Sequence, residues 1–187
     1  MSQIIGVIPI LATPFNKNGD INYKDYEKEC EFLINADVNG IGLALGSEIF
    51  KLDFEEKERL IKILYKSINQ SKKNINIIVN TGTSNMNETI RLSKQAQDFG
   101  ANALMVMPPN LITLNDSEIM QYYETISDNI PLPIVMQDIP GASLSNNLIV
   151  NLANNIEYCR YVKLEVPPTP LKIEGLLNLK PKDLIIL

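Results

Sequence analysis

The stretch Tyr158-Cys159-Arg160-Tyr161-Val162-Lys163-Leu164-Glu165 reads as a strand with an amine set into its apolar run. Alternation puts Cys159, Tyr161, Lys163 and Glu165 on one face and leaves Val162 and Leu164 on the other. Pro167-Pro168-Thr169-Pro170 follows. Prolines there hold an extended loop and start the next helix. Such a loop is rigid architecture, or it shapes a pocket above Lys163.

Outward from this strand the chain alternates short apolar runs with amphipathic stretches. The apolar runs predict strands over Ile4–Leu11, Gly40–Leu45, Ile75–Asn80, Ala103–Met107, Pro133–Asp138 and Tyr158–Glu165, with a seventh starting at Leu184–Leu187. Helical spacing predicts helices over Tyr23–Ile34, Phe54–Ile68, Asn87–Phe99 (ended by Gly100), Ser117–Ser127, Asn147–Ala153 and Leu171–Leu177. The Phe54–Ile68 helix is the clearest. Leu60, Ile61, Leu64 and Ile68 share one face, and Asp53 with Glu56 forms a capping box at its start.

Strands that are apolar on both faces and separated by helices predict parallel βαβ units. An open doubly wound sheet and a closed barrel fit this periodicity equally. No glycine-rich dinucleotide fingerprint follows the first strand, and there is no P-loop, which disfavours a nucleotide-binding domain.

The 187 residues carry a net charge of -5, with 45% apolar and 21% charged side chains, an ordinary globular balance for one domain over 1–187. That charge and the absence of a basic stripe give nucleic acid no electrostatic purchase. The apolar runs are of strand length, so no membrane span is predicted. Met1-Ser2-Gln3-Ile4-Ile5-Gly6 lacks the basic region and cleavage site of a secretory signal. Cys30 and Cys159 then read as unpaired core thiols of a cytoplasmic protein. With no histidine in the chain, Ser/His/Asp and Cys/His catalysis are excluded, and the commonest zinc ligand is missing. No metal and no cofactor is expected. Chemistry falls to Lys, Glu, Asp, Tyr, hydroxyls and backbone.

Five runs carry a resemblance. They are Gly6-Val7-Ile8-Pro9-Ile10-Leu11-Ala12-Thr13-Pro14-Phe15; Leu45-Gly46-Ser47-Glu48 with Lys51-Leu52 and Glu55-Glu56; Thr81-Gly82-Thr83; Ile139-Pro140-Gly141; and Val162-Lys163. In order and spacing they resemble the dihydrodipicolinate synthase and N-acetylneuraminate lyase family of class I, Schiff-base-forming lyases. The resemblance implies a TIM (β/α)8 barrel. This chain would be an incomplete one, of about seven βα units, with the eighth strand and helix missing.

The resemblance also implies a role for Lys163. Active sites of this fold sit at the C-terminal ends of strands. An amine desolvated there attacks a carbonyl, and the protonated imine serves as an electron sink for C–C cleavage or loss of water. The alternative is a lysine that snorkels to solvent from an edge. The other lysines read as members of solvated faces. Thr13, Gly46, Ser47, Glu48 and Gly141 are implied as substrate-binding residues, with the Gly46–Glu48 loop taking the carboxylate of a pyruvate-like 2-keto acid. The alternative is an ordinary βα turn with Ser47 as a cap.

The Gly46–Glu48 loop departs from the family, because Leu45 and Gly46 stand where two threonines are expected and Ser47 is the nearest hydroxyl, and three further positions depart as well. The family's catalytic tyrosine falls on Gln137, which can orient a carbonyl or a water but cannot act as an acid or base at neutral pH. The tyrosine donated across a subunit interface falls near Asn110. The arginine that recognises the second substrate of true dihydrodipicolinate synthases falls on Ala142. What remains resembles relatives that act on 2-keto-3-deoxy sugar acids or similar 2-keto acids, cleaved or dehydrated. Glu165 becomes the first candidate for proton transfer and Asp138 the second, although a carboxyl near a lysine also serves as a plain ion-pair partner. A relative that binds a keto acid without turnover is the competing expectation. The family resemblance implies a homo-oligomer, dimer or tetramer.

Overall fold

The computed structural model describes residues 3–179 and 183–187. Met1 and Ser2, part of the N-terminal stretch read above, lie outside them. The described chain forms two compact units. One holds the chain up to Asn80 together with Gln95–Asn102. The other holds Thr81–Lys94 together with Ala103–Leu187. Six helices and six strands alternate among the described residues.

In the first unit, helix α1 (Tyr23–Asn35) is followed by β1 (Gly40–Leu43), two short 3-10 turns, α2 (Phe54–Ser71) and β2 (Asn76–Asn80). β1 is buried at every position, and it pairs in parallel with β2 from Gly40 opposite Asn76 to Leu43 opposite Val79. A parallel pair needs a long crossover, and α2 supplies it. The capping box forms as read: Asp53 Oδ1 accepts from the Glu56 N–H at 2.8 Å, and Glu56 Oε2 accepts from the Asp53 N–H at 2.9 Å. Leu60, Ile61, Leu64 and Ile68 are buried on one face of α2. Burying each stabilises by about 1.5–3 kcal/mol as an upper estimate. Against that face Tyr26 of α1 is fully buried and donates its hydroxyl to the Leu60 carbonyl at 3.3 Å.

The stretch expected as a first strand, Ile4–Leu11, is not one. It is an extended arm with a single bridge, Ile10 opposite Gly42. Leu11 N–H donates to the Gly42 carbonyl at 2.9 Å, and the Pro9 carbonyl accepts from Gly42 N–H at 2.9 Å. The ladder stops there because Pro9 has no N–H to give. Val7 N–H turns to the Asn39 side chain at 2.8 Å, and Gly6 takes a left-handed φ of 94°. Ile5 and Val7 consequently lie exposed. The described strands therefore number six, not the seven expected.

The second unit carries four parallel strands, β3 (Ala103–Val106), β4 (Ile134–Asp138), β5 (Cys159–Leu164) and β6 (Ile185–Ile186). Every β3 and β4 position is buried, the pattern of strands covered on both faces. Helices α4 (Asp116–Asn129), α5 (Asn146–Asn155) and α6 (Thr169–Asn178) connect them. α3 (Met86–Asp98) precedes β3. Asn115 caps α4 and Ser145 caps α5 through the third following N–H, at 3.1 Å in both cases. α6 has no side-chain cap and opens with a proline in its first turn. The run at Leu184–Leu187 yields β6, shortened to two paired residues opposite Tyr161 and Val162. No helix among the described residues is long and apolar enough to cross a membrane.

Candidate active site

β5 positions Lys163. Val162 and Leu164, its neighbours along the strand, are buried, so the backbone here is fixed by packing on the opposite face. The Lys163 side chain itself keeps 27% of its surface exposed. It is therefore half-buried, neither sealed from water nor free of the fold. Its ammonium forms an ion pair with Glu165, two residues on and on the same face.

β4 positions the third member. Gln137 stands opposite Lys163 in the parallel register, and its side chain is almost wholly buried. Its Nε2 donates to Glu165 Oε2 at 3.2 Å. The Glu165 carboxylate is thus held from both oxygens, one by an amine and one by an amide. Its backbone is held as well, because Glu165 N–H donates to the Asp138 carbonyl at 2.8 Å. Chemically this is a primary amine beside a proton acceptor, with a neutral amide orienting the acceptor.

Asp138 points the other way, as alternation along β4 requires. It is fully buried, and its Oδ1 accepts from Leu144 N–H at 2.8 Å and from Lys172 Nζ at 2.7 Å. Lys172 thereby departs from the expectation that every lysine except Lys163 lies on a solvated face. Its side chain is only 15% exposed. No spacing rule links Lys172 to a partner 34 residues away, and its neighbour Leu171 is exposed.

Gly141 serves the backbone. Its φ of 87° and the 3.0 Å bond from Ala142 N–H to the Ile139 carbonyl fit a type II turn, with Pro140 ahead of it. Beyond this turn lies an open cleft of about 200 Å³ whose lining includes Pro108, Asn110, Thr113, Gly141, Ala142 and Ser143. Two of the departures noted in the sequence, Asn110 and Ala142, thus line one cleft. Among the described residues no charged side chain lines it. The alternation expected from Cys159 to Lys163 is interrupted, because Ile134 pairs with Cys159 but Val135 pairs with Tyr161, and this irregularity turns Cys159 to the face of β5 opposite Lys163. Cys159 is buried, and burial pushes its thiol up to about 12. It is no thiolate nucleophile at neutral pH.

In the first unit, Thr13 and Ser47 meet. The Thr13 hydroxyl donates to the Ser47 carbonyl at 2.6 Å, and Ser47 Oγ accepts from Ala44 N–H at 3.1 Å, capping the Leu45–Ser47 turn. Ser47 is fully buried, whereas Gly46 is exposed. Glu48 adopts a left-handed φ of 55° and pairs with Lys51 at 2.6 Å. Among the described residues no cluster of His, Cys, Asp or Glu is placed to hold a metal ion.

Parallel strands alternating with helices define an α/β protein, with the Lys163–Glu165 pair at the C-terminal end of β5. The model of the dihydrodipicolinate synthetase family matches residues 3–165, and the chain belongs to that family. It is 30% identical over 177 residues to 4-hydroxy-tetrahydrodipicolinate synthase of Staphylococcus haemolyticus, covering 86% of this chain and 59% of that protein. It is 28% identical over 180 residues to L-2-keto-3-deoxyarabonate dehydratase of Azospirillum brasilense, covering 93% and 57%. The fold matches the crystal structure of chloride-inhibited dihydrodipicolinate synthase from Acinetobacter baumannii complexed with pyruvate, with a TM-score of 0.90 at 28% identity over 98% of this chain and 63% of that one. The chain thus spans less than two thirds of the length of each of these relatives.

Proposed function

We propose that Lys163 condenses with the ketone of a 2-keto-3-deoxy sugar acid and that the chain acts as a lyase or dehydratase on it. The carrying observation is the contact of Lys163 with Glu165, braced by Gln137. The half-exposed Lys163 ammonium gives its proton to water, and the free amine adds to the ketone. Loss of water gives a protonated imine. In dehydration, Glu165 then removes the proton from the carbon next to the imine. The electron pair moves into an enamine, the neighbouring hydroxyl leaves as water after protonation, and hydrolysis frees Lys163. In cleavage, the hydroxyl proton is removed instead, and the carbon–carbon bond gives an aldehyde and the enamine of pyruvate.

Three features support this substrate class. The cleft beside Gly141 has hydroxyl and amide groups, Thr113, Ser143 and Asn110, and among the described residues no cation lines it. Ala142 occupies the position where the synthases are expected to carry an arginine. A relative named as a keto-deoxy sugar acid dehydratase matches over 93% of the chain. On the family resemblance, the protein self-associates.

The test is borohydride reduction in the presence of pyruvate or a 2-keto-3-deoxy acid. Hydride adds to the imine carbon and fixes a secondary amine, so a mass increase should map to Lys163. A folded sample that gains no adduct with any such acid removes the proposal. A second reading, keto-acid binding without turnover, is favoured by Gln137 standing in place of a phenol. An adduct at Lys163 with no product release from any 2-keto-3-deoxy acid would select it.

A further inference from the structure

Asp138 and Lys172 form a second amine–carboxylate pair, separate from Lys163 and more deeply buried. The Asp138 carboxylate is fully buried and Lys172 is 15% exposed. Three segments converge on it. Asp138 ends β4. Leu144 and Ser143 lie in the connection to α5, with Leu144 N–H at 2.8 Å from Asp138 Oδ1 and Ser143 Oγ at 3.2 Å from Lys172 Nζ. Lys172 belongs to the first turns of α6, whose backbone is tied again by Asn146 Nδ2 on the Lys172 carbonyl at 3.1 Å. α6 is the helix that the chain enters directly after Glu165 and the proline loop.

Desolvating two charges costs stability, and a packed apolar pair of the same shape serves a fold equally well or better. What an ion pair adds is direction. Here the direction bears on Glu165, because the backbone carbonyl of the same Asp138 receives the Glu165 N–H at 2.8 Å. Gln137, which bonds the Glu165 side chain, is the adjacent residue of β4. The pair therefore pins both connections that leave the strand ends bearing Gln137, Lys163 and Glu165.

We propose that Asp138 and Lys172 are positioning residues, a buried latch that sets Glu165 and Gln137 against Lys163 for proton transfer. This rests on the Schiff-base reading above. The latch should govern movement of the proton more than formation of the imine.

The test compares the wild-type chain with Asp138→Asn/Lys172→Met, which removes both charges and leaves an amide oxygen for Leu144 N–H. Lys172→Met alone serves as the harsher variant. Two readouts are taken with pyruvate: borohydride trapping at Lys163, and exchange of the pyruvate methyl protons for deuterium, which reports proton removal next to the imine. A third readout is amide hydrogen exchange at Glu165 N–H, which needs no ligand. The latch predicts wild-type trapping, methyl exchange slowed by about tenfold to 100-fold, and loss of protection at Glu165 relative to the rest of β5. Unchanged methyl exchange in a folded variant overturns it. So does loss of trapping and exchange together, in proportion to lost folded protein, since that is a purely structural role. If the wild type forms no imine, the Schiff-base reading fails by itself. The latch is then decided by Glu165 protection: lost in the double variant it stands as a device holding this strand end, retained it is overturned.

Discussion

At the scale of single residues, the arrangement divides labour between Lys163 and Glu165. Lys163 can form an imine without Glu165, but the proton has to move through a group that ionises, and the Gln137 amide that bonds Glu165 cannot do so. Glu165→Gln should therefore leave borohydride trapping at Lys163 largely intact while turnover falls by about 10²- to 10⁴-fold, the usual contribution of a positioned acid–base group. Trapping by mass spectrometry and steady-state rates read the two effects separately. If both fall together, the carboxylate serves binding and not proton transfer. Lys163 was legible in the sequence because a charged residue interrupts an apolar run and alternation sets Glu165 on its face. The contact of Gln137 with Glu165 was not, since it joins residues 28 apart through the register of two strands.

At the scale of elements, local signals did best where they were self-contained. α2 begins at the expected residue because its cap, Asp53, and its reciprocal partner, Glu56, are both local. Asp53→Ala removes the acceptor for Glu56 N–H and should lower stability by about 0.5–2 kcal/mol, measured by urea denaturation with the slope unchanged. A smaller loss would mean that α2 is held chiefly by its buried face. The Ile4–Leu11 arm shows the opposite case. Its run of apolar residues reads as a strand, but Pro9 and the left-handed Gly6 deny it a continuous ladder.

At the scale of the whole molecule, buried neutral groups give stability a direction with pH. Burial pushes the Cys30 and Cys159 thiols up from 9.0 to about 12, with Glu29 a further cause at Cys30. Burial likewise raises the hydroxyls of Tyr26 and Tyr123 well above their ordinary range. In the unfolded chain these thiols lose protons near pH 9, while in the folded chain they stay neutral. Unfolding then releases protons, so this contribution is fully present below about pH 9 and is lost as pH rises toward 12. Melting temperatures should fall steadily across that window. Replacing both thiols, Cys30→Ala and Cys159→Ala, should flatten the fall even though the cavities lower the starting value. An equally steep decline in the double variant would place the effect elsewhere.

The amino-acid sequence by itself determined the parallel α/β class, the helix carrying the capping box, the lysine on a strand face shared with a carboxylate, and the family resemblance that the family match bears out. These follow from spacing along the chain, where side-chain periodicity and backbone chemistry act over a few residues. Only the tertiary structure decided that Asp138 turns to Lys172, that Gln137 grips Glu165, that Asn110 and Ala142 share a cleft, and that the first apolar run fails as a strand. Each depends on which strand register and which helix packing bring distant segments together. That choice is made by the burial of whole faces and not by any short run of residues.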